Sequence, residues 1–470
     1  MNNFENIRQC HDEPIRTPHA IQPFSYLIIF NADNIIQFVS SNLILAFEEL
    51  FGYAIGENIS LYFAVDNFIL KDGENKKFLK LSTVNKKNRF NCFLYRVGNL
   101  LGLEFEIYNP LQNACFQKYE NKHKQLTKST TLDSFLKSLV QYIFQIIHFD
   151  RVMLYKFDNN FNGVVINEAK RDYAKSYLNH HFPADDIPAQ ARALYIQNII
   201  RIIPDATYEP IKILPNSETA IDLTYVSSRS VSPIHCEYLA NMNIKASMSL
   251  SLVVDNKLWG LIACHSYEPH YISLEIRNQL ELQLYKLNLI LENLIKDEQN
   301  RLKEVINAKA VVITNLIQTR KKPSLNKEIM NKISRLVNCD GIFYLSINNK
   351  ISLGSIPNEG EINKLIDFCG NRYFFASSTM LEYIPDLTTK AAGFILVNID
   401  EHTKIMCFRK EYIETIIWAG SPEKIINKDG HIVYFSPRHS FEAYKQIEKG
   451  KSKPWVPIEL NTLKQICKLL

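Results

Sequence analysis

Glycine is scarce in this chain, at 15 of 470 residues, about half the usual ~7 %. That argues against glycine-rich, phosphate-cradling loops as its main theme. Long apolar runs are missing too. Stretches such as 27–30 fall far short of the ~20 residues that cross a bilayer. The N-terminal MNNFENIRQC has neither the basic stretch nor the apolar core of a signal peptide. Nine cysteines (Cys10, Cys92, Cys115, Cys236, Cys264, Cys339, Cys369, Cys407 and Cys467) form no CxxC pair. The spacing argues against a zinc ribbon or thioredoxin-type centre and supports no disulfide framework. Neither sign of charge dominates. Lys+Arg 54 against Asp+Glu 49 leaves +5, too little over this length for a nucleic-acid or membrane-surface protein. These absences predict a cytoplasmic protein with no nucleic-acid and no membrane partner.

What remains is a globular composition, 46 % hydrophobic and 22 % charged. At roughly 150 residues per domain, its length suggests about three domains. Residues 1–20 are polar with two prolines and read as an extended arm. Apolar runs at 25–30 and 35–39, split by Asn31-Ala-Asp-Asn34, signal a hairpin. A short helix at 41–49 and strands at 90–97 and 100–108 complete a first α+β unit. A second opens with a helix near 131–147 and strands at 151–157 and 163–169. It continues through a long irregular, proline-containing stretch at 176–218, and closes with alternating strands at 246–254 and 258–266. Loops of that length inside a domain tend to be functional or disordered; its mixture of apolar and charged residues favours function. Residues 274–305 are rich in Leu and charge. Leu280, Leu284, Leu287, Leu291 and Leu294 repeat at spacings of four and three, a seam suited equally to a parallel helix partner and to the helix's own domain. A third α+β unit runs from about 325, with a hairpin signal at Asp429-Gly430. The predicted fold class is α+β: three consecutive domains, each an antiparallel sheet with flanking helices, joined by a long helix.

Several constellations could carry chemistry. If Ser232-Pro-Ile-His235-Cys236-Glu-Tyr238-Leu-Ala-Asn-Met242 is helical, then Ser232, His235, Tyr238 or Leu239, and Met242 share a face able to line a pocket for a large, partly polar ligand. A Cys236–His235 nucleophile is disfavoured, because adjacent helical side chains diverge by about 100°. Ser247, Ser249 and Ser251 alternate with apolar residues, and Trp259, Leu261, Ala263 and His265 share one parity on the next strand. A serine row beside a histidine can hydrogen-bond a buried anion or carbonyl, or simply face solvent. Arg201 and Arg229 are candidates for carboxylate contacts. His180-His181-Phe-Pro-Ala-Asp185-Asp186-Ile-Pro188 gathers possible metal ligands but lacks any metal-binding spacing, so no metal and no hydrolase chemistry is expected. The residues read as a ligand-binding sensor.

At these same positions the chain resembles the phytochromes, and specifically the photosensory core of the bacteriophytochromes. Phe182-Pro-Ala-Asp-Asp186-Ile-Pro-Ala-Gln-Ala-Arg-Ala-Leu-Tyr195 resembles the family's PASDIP block, with Asp185 where serine is usual. Arg229-Ser-Val-Ser232-Pro-Ile-His235 and Trp259-Gly-Leu-Ile-Ala-Cys-His265 resemble chromophore-pocket motifs. Pro437-Arg438-His-Ser440-Phe441 fits the tongue's PRxSF motif, and Trp418-Ala-Gly420 its partner strand. Cys10, followed by Glu13-Pro-Ile15 and Ile21-Gln-Pro-Phe24, fits the N-terminal attachment region.

The resemblance implies an N-terminal arm at 1–20 and a PAS domain at 21–115. It implies a chromophore-binding GAF domain at 125–300 and a PHY domain at 305–470 with its tongue at about 416–446. It implies a linear tetrapyrrole, biliverdin, tethered through a thioether to Cys10, since the plant and cyanobacterial attachment position is occupied here by Ile234. By resemblance, Arg201 and Arg229 would hold one propionate, and Ser247 and Ser249, with Ser232 nearby, the other. The Asp186 carbonyl and His235 would meet the pyrrole N–H groups. Tyr155, Phe182 and Tyr238 would surround ring D, whose carbonyl would meet His265, with Ile187 and Tyr195 also in the pocket. Light-driven Z/E isomerisation would break an Asp186–Arg438 ion pair and refold the tongue, with Ser440 as a new partner for Asp186 and Trp418 on the partner strand. A parallel homodimer through the leucine seam is implied, with an output kinase, cyclase or response regulator downstream. The chain itself is expected not to be an enzyme. The alternatives are a GAF-type small-molecule sensor without photochemistry, and the sensor half of a histidine kinase or diguanylate cyclase.

Overall fold

A computed structural model describes residues 7–8, 13–47, 51–52, 54–63, 68–84, 86–108, 120–216, 220–319, 325–422, 425–429, 432–436 and 440–470. The chain divides into two compact units, Met1–Leu294 with Ile417–Tyr444, and Ile295–Ile416 with Lys445–Leu470.

In the first unit the expected hairpin forms between strands Tyr26–Phe30 and Ile36–Ser40, with Ile28 opposite Val39. Asn31 builds the turn: its side-chain oxygen accepts the backbone N–H groups of Asp33 at 3.0 Å and Ile35 at 2.9 Å. Asn34 supplies the left-handed residue at φ 63°, a conformation asparagine tolerates. The following helix is Ser41–Ala46, shorter than the expected 41–49, of which 48–50 lie outside the described residues. Strands Lys76–Ser82, Arg89–Val97 and Leu100–Ile107 extend the sheet beyond Tyr26–Phe30. At its other edge two further strands join, Ile211–Leu214 and then Ala20–Ile21. A strand from the centre of the chain is therefore part of the N-terminal sheet.

Residues 176–218 correct the expectation of an irregular stretch. They hold strands His180–Phe182, Ile200–Ile203 and Ile211–Leu214, a 3-10 turn at Ala184–Asp186 and the helix Ala189–Gln197. The helix begins directly after Pro188, and its Ala-rich sequence favours helix without an apolar stripe to announce it. The short strands exist because neighbours distant in sequence pair with them.

The second sheet runs in the order Ile200–Ile203, Ala246–Val254, Lys257–Ser266, Arg151–Phe157, Gly163–Lys170, His180–Phe182. His180 and His181 then pair in parallel with Ile417 and Trp418. The helix Leu132–Ile147, capped by the Thr131 hydroxyl, buries Phe135, Leu139, Ile143 and Ile147. It lies against the two strands that follow it.

The leucine seam is corrected here. Leu280, Leu284, Leu287 and Leu291 lie on the helix Leu274–Gln318 and are at most 1 % exposed within the single chain; Leu294 is half-buried. They form the helix's inward face: Gln283 accepts the Tyr142 hydroxyl of helix Leu132–Ile147 at 2.5 Å, and Asn288 donates to the Ser251 carbonyl at 3.2 Å. Leucines buried within their own chain are not available to a partner helix.

The second unit is built on a five-stranded sheet ordered Asn349–Gly354, Gly341–Ser346, Lys404–Arg409, Gly393–Asn398, Phe374–Ser377. Helices Lys327–Leu336 and Pro457–Cys467 bury Ile329, Ile333, Leu463 and Ile466 in a core shared with Ile342 and Cys407. Helix Glu359–Cys369 starts with a capping box between Asn358 and Glu361. Arg409 lies 3.8 Å over the Trp455 ring and donates to the carbonyls of Val337, Asn338, Lys453 and Pro454. Among the described residues, no helix is long and apolar enough to cross a membrane.

Candidate functional site

Strand register gathers most of the candidate side chains. Arg201 is paired with Ser249, and Ser249 with Ala263. Ala263 is paired with Met153. One step along, Ser247 is opposite His265, and His265 opposite Arg151; two residues beyond Met153 comes Tyr155. Side chains two apart on a strand share a face. Arg201, Ser247, Ser249, His265, Arg151 and Tyr155 therefore lie on one side of the sheet. The alternate residues Val152, Leu154, Leu250, Ile262 and Cys264 are fully buried on the other.

Helix Pro233–Asn241 lies over that first face. Ser232 caps it, its hydroxyl accepting the His235 N–H at 3.3 Å, so this hydroxyl is occupied by the helix. Leu239 and Met242, with the half-buried Tyr238, Ile187, Tyr195 and Ala263, join Met153, Tyr155, Phe182 and Phe441 in one apolar cluster. The His235 and Tyr238 rings stack at 5.9 Å and 10°. The Tyr238 hydroxyl donates to Asp186 at 3.0 Å, from the 3-10 turn Ala184–Asp186. Tyr155 packs against Phe182 at 5.7 Å and donates to its carbonyl at 3.4 Å. This ring sits where a side chain at 163 would otherwise be, because a Cβ added to Gly163 collides with it.

The tongue residues that belong to this unit contribute directly. Phe441 meets the Tyr238 ring edge-on at 5.0 Å, and its carbonyl accepts the Lys175 ammonium at 2.9 Å. Trp418 is 5.8 Å from His181. Ser440 is exposed and its hydroxyl accepts the Glu442 N–H at 3.3 Å. Strands Ile425–Asp429 and Ile432–Ser436 pair as the expected hairpin, with Ile426 opposite Phe435. Strand Ile7–Arg8 of the arm adds to it in parallel. Cys10, Arg438 and Gly430 lie outside the described residues.

The electrostatics of this face are unusual. Arg229 is 5 % exposed. It donates to the carbonyls of Leu223 and Thr224, while its Nε has no partner. Arg201 donates to the Arg229 carbonyl at 2.6 Å. Among the described residues neither arginine has a carboxylate partner. Burial lowers both pKa values, that of Arg229 far below its ordinary range, with Arg201's charge adding to the effect. Burial, and then the charge of Arg201, lowers His235 to about 4. His265 is held well below its usual value by burial, by Arg151 and by His235. Near neutral pH the face thus presents two neutral imidazoles beside two arginines, Arg229 buried and Arg201 half-buried, that form no ion pair among the described residues, an arrangement that suits an anion with hydrogen-bonding groups and a large apolar body. No group of three or more His, Cys, Asp or Glu side chains among the described residues is arranged to hold a metal ion.

Sequence reasoning missed Arg151, Gly163 and Glu104 as site residues, and placed Gln22 only within the attachment-region motif. Gln22, fully buried, donates to the carbonyls of Ile202 and Arg229 at 3.2 and 3.3 Å. Glu104, also fully buried, accepts the N–H groups of Ser227 and Ser228 and the hydroxyls of Ser25 and Ser227. Of the three missed residues Gly163 left a signal: a glycine inside a strand, in a glycine-poor chain, marks a close approach.

Comparisons with known proteins agree with this geometry. Family models match as PAS fold over residues 10–108, GAF domain over 131–284 and phytochrome region over 291–470. The chain is 33 % identical to cyanobacterial phytochrome B of Nostoc sp., over 97 % of its own length and 64 % of that protein. It is 31 % identical to a bacteriophytochrome of Pseudomonas aeruginosa, over 97 % and 65 %. It thus spans just under two thirds of these relatives. A crystal structure of a bacteriophytochrome from R. palustris matches with a TM-score of 0.80 at 28 % identity, covering 98 % of this chain and 97 % of that one. The phytochrome photosensory core module of Stigmatella aurantiaca matches at 0.81 and 26 %, with the same coverage. Three domain matches in that order, spread over nearly the whole chain, leave one conclusion: the chain belongs to the phytochrome family and carries the PAS, GAF and PHY domains of its photosensory core.

Proposed function

We propose that this chain is a red/far-red photoreceptor whose sheet face holds biliverdin, tethered through a thioether to Cys10. The observation that carries the reading is the pair of half-buried Arg201 and buried Arg229, without an ion-pair partner among the described residues, beside two neutral histidines and an apolar, aromatic cluster. A linear tetrapyrrole brings two propionates, polar pyrrole N–H groups and a flat apolar body, and these residues suit each part. Arg201 and Arg229 would bind one propionate, and Ser247 and Ser249 the other. His235 and the Asp186 carbonyl would orient the pyrrole N–H groups. Tyr155, Phe182 and Tyr238 would enclose ring D, with His265 at its carbonyl and Ile187 and Tyr195 lining the remainder. When bound, the pigment supplies the photochemistry, Z/E isomerisation at the C15=C16 bond with rotation of ring D.

The residues of the chain would turn that rotation into a signal. Asp186 accepts Tyr238's hydroxyl, and Tyr238 touches Phe441 of the tongue, so a displacement of Tyr238 reaches both. In the proposed switch Asp186 pairs with Arg438 in one state and Ser440 in the other, as the 425–436 hairpin refolds beside Trp418. This is a two-state element biased by one ligand. Output would pass to a kinase, cyclase or response regulator, as part of a longer protein or on another chain.

The test is to mix the purified protein with biliverdin and record spectra before and after red and far-red light, then after denaturation. Reversible photoconversion and pigment that survives denaturation are expected, with covalent pigment lost in Cys10→Ser. Retained covalent pigment in that variant refutes Cys10. Absence of uptake refutes the pocket, and uptake without photoconversion favours a GAF-type sensor without photochemistry.

A further inference from the structure

Arg151 has no part in the reading above, yet it is the largest of the fully buried side chains. Register sets it directly opposite His265. Its guanidinium lies over the Tyr177 ring, 4.6 Å from the centroid, and one Nη donates to the Lys175 carbonyl at 2.7 Å. The other Nη is 3.1 Å from His265 Nδ1. A guanidinium has only donors and keeps its charge in proteins, so in this contact Nδ1 can only accept. A neutral imidazole that accepts at Nδ1 carries its proton on Nε2. A second proton on Nδ1 would set N–H against N–H and charge against charge.

We propose that Arg151 is a positioning residue that locks His265 in the Nε2–H tautomer. His265 then offers a fixed hydrogen-bond donor on the ring edge away from Arg151, toward an oxygen acceptor on the ligand side of the sheet. On the biliverdin reading, on which only the identity of the acceptor rests, that acceptor is the ring D carbonyl. The cation does more than choose the tautomer. A charged donor at Nδ1 draws electron density from the ring and strengthens the donor at Nε2, as in any polarised hydrogen-bond chain. Among the described residues no carboxylate pairs with Arg151, and its Nε has no partner, so its charge is not cancelled locally. The Tyr177 face and the Lys175 carbonyl hold the guanidinium in place and fix the direction of the contact.

The tautomer can be read without pigment. In protein labelled with 15N-histidine, two-bond proton–nitrogen correlations distinguish protonated from unprotonated ring nitrogens, and His265→Gln assigns the signal among the 12 histidines. Wild-type protein without biliverdin is expected to show one His265 species, Nε2 protonated and Nδ1 bare. A protonated Nδ1 or a mixture there overturns the proposal, and this measurement needs no variant that might fail to fold. Arg151→Met, which keeps the apolar stem over Tyr177 but removes the donors, is expected to release a mixture of tautomers; Arg151→Lys should restore part of the single species. A pure Nε2–H species persisting in Arg151→Met also overturns the assignment to Arg151. In biliverdin-loaded protein the ring D carbonyl stretch should rise in Arg151→Met as its hydrogen bond weakens. Failure of wild-type protein to take up biliverdin counts against the pigment reading and leaves the tautomer result standing.

Discussion

The Tyr155 ring stays where it is because the neighbouring strand has no side chain at residue 163. A Cβ on Gly163 would overlap that ring, which also packs against Phe157 at 5.1 Å and Phe182 at 5.7 Å. Gly163→Ala should therefore force the ring out of place and cost about 1–3 kcal/mol, the usual range for overpacking. A double-mutant cycle with Tyr155→Leu isolates the cause, since sites in contact couple. With the ring removed, the added methyl should cost little. Urea midpoints of the four proteins give the answer, and an equal loss in both backgrounds would show that the ring is not the obstacle. The same contrast explains which single residues were legible. Gly163 carried a hint in its type, whereas Arg151 and Glu104 carried none. A charged residue in a strand reads as a solvated one until its cross-strand partner is known, and one sequence does not name that partner.

Whole elements were easier to read when their pattern was local. The strands at 151–157 and 246–254 and the helix near 131–147 are announced by alternation or by a helical apolar face, and they form as Arg151–Phe157, Ala246–Val254 and Leu132–Ile147. The 176–218 stretch was not legible as structure, because its short strands are made by distant partners. The leucine repeat was visible, but its occupant was ambiguous. A stripe at spacings of three and four fits a parallel partner helix and packing on its own domain equally well. Burial of Leu284 at 1 % exposure within one chain decides for the second. Leu284→Ala should accordingly cost about 2–5 kcal/mol of stability, seen as a lower urea midpoint. The oligomeric state measured by light scattering should not change. Altered self-association at unchanged stability would return the seam to an intermolecular role.

For the molecule as a whole, the N-terminal sheet is wired into the face proposed to bind the ligand. Glu104 belongs to strand Leu100–Ile107, and its fully buried carboxylate receives the N–H of Ser227 at 3.0 Å and of Ser228 at 2.7 Å. The next residue is Arg229. Gln22 reinforces the link through the Arg229 carbonyl, and the neighbouring Glu106 pairs with Arg277 of the long helix, both 3 % exposed. Chain order could not reveal this wiring, because it joins residues 123 and 124 positions apart. It makes the position of Arg229 depend on the N-terminal domain. Glu104→Gln keeps the shape but turns an amide N–H₂ toward backbone donors, which leaves a buried donor unsatisfied at about 1–3 kcal/mol. The loop at 227–229 should loosen, and biliverdin uptake should slow several-fold. Lost stability alone could slow uptake, so Leu103→Ala serves as the comparison. Leu103 is on the same strand but in the core of the opposite face, and its truncation should lower the urea midpoint at least as much while leaving uptake near the wild-type rate. Equal slowing in both variants would mean that the N-terminal domain acts on the pocket only through general stability. Slowing confined to Glu104→Gln is the outcome expected if its carboxylate sets Arg229, the arginine proposed to bind a propionate.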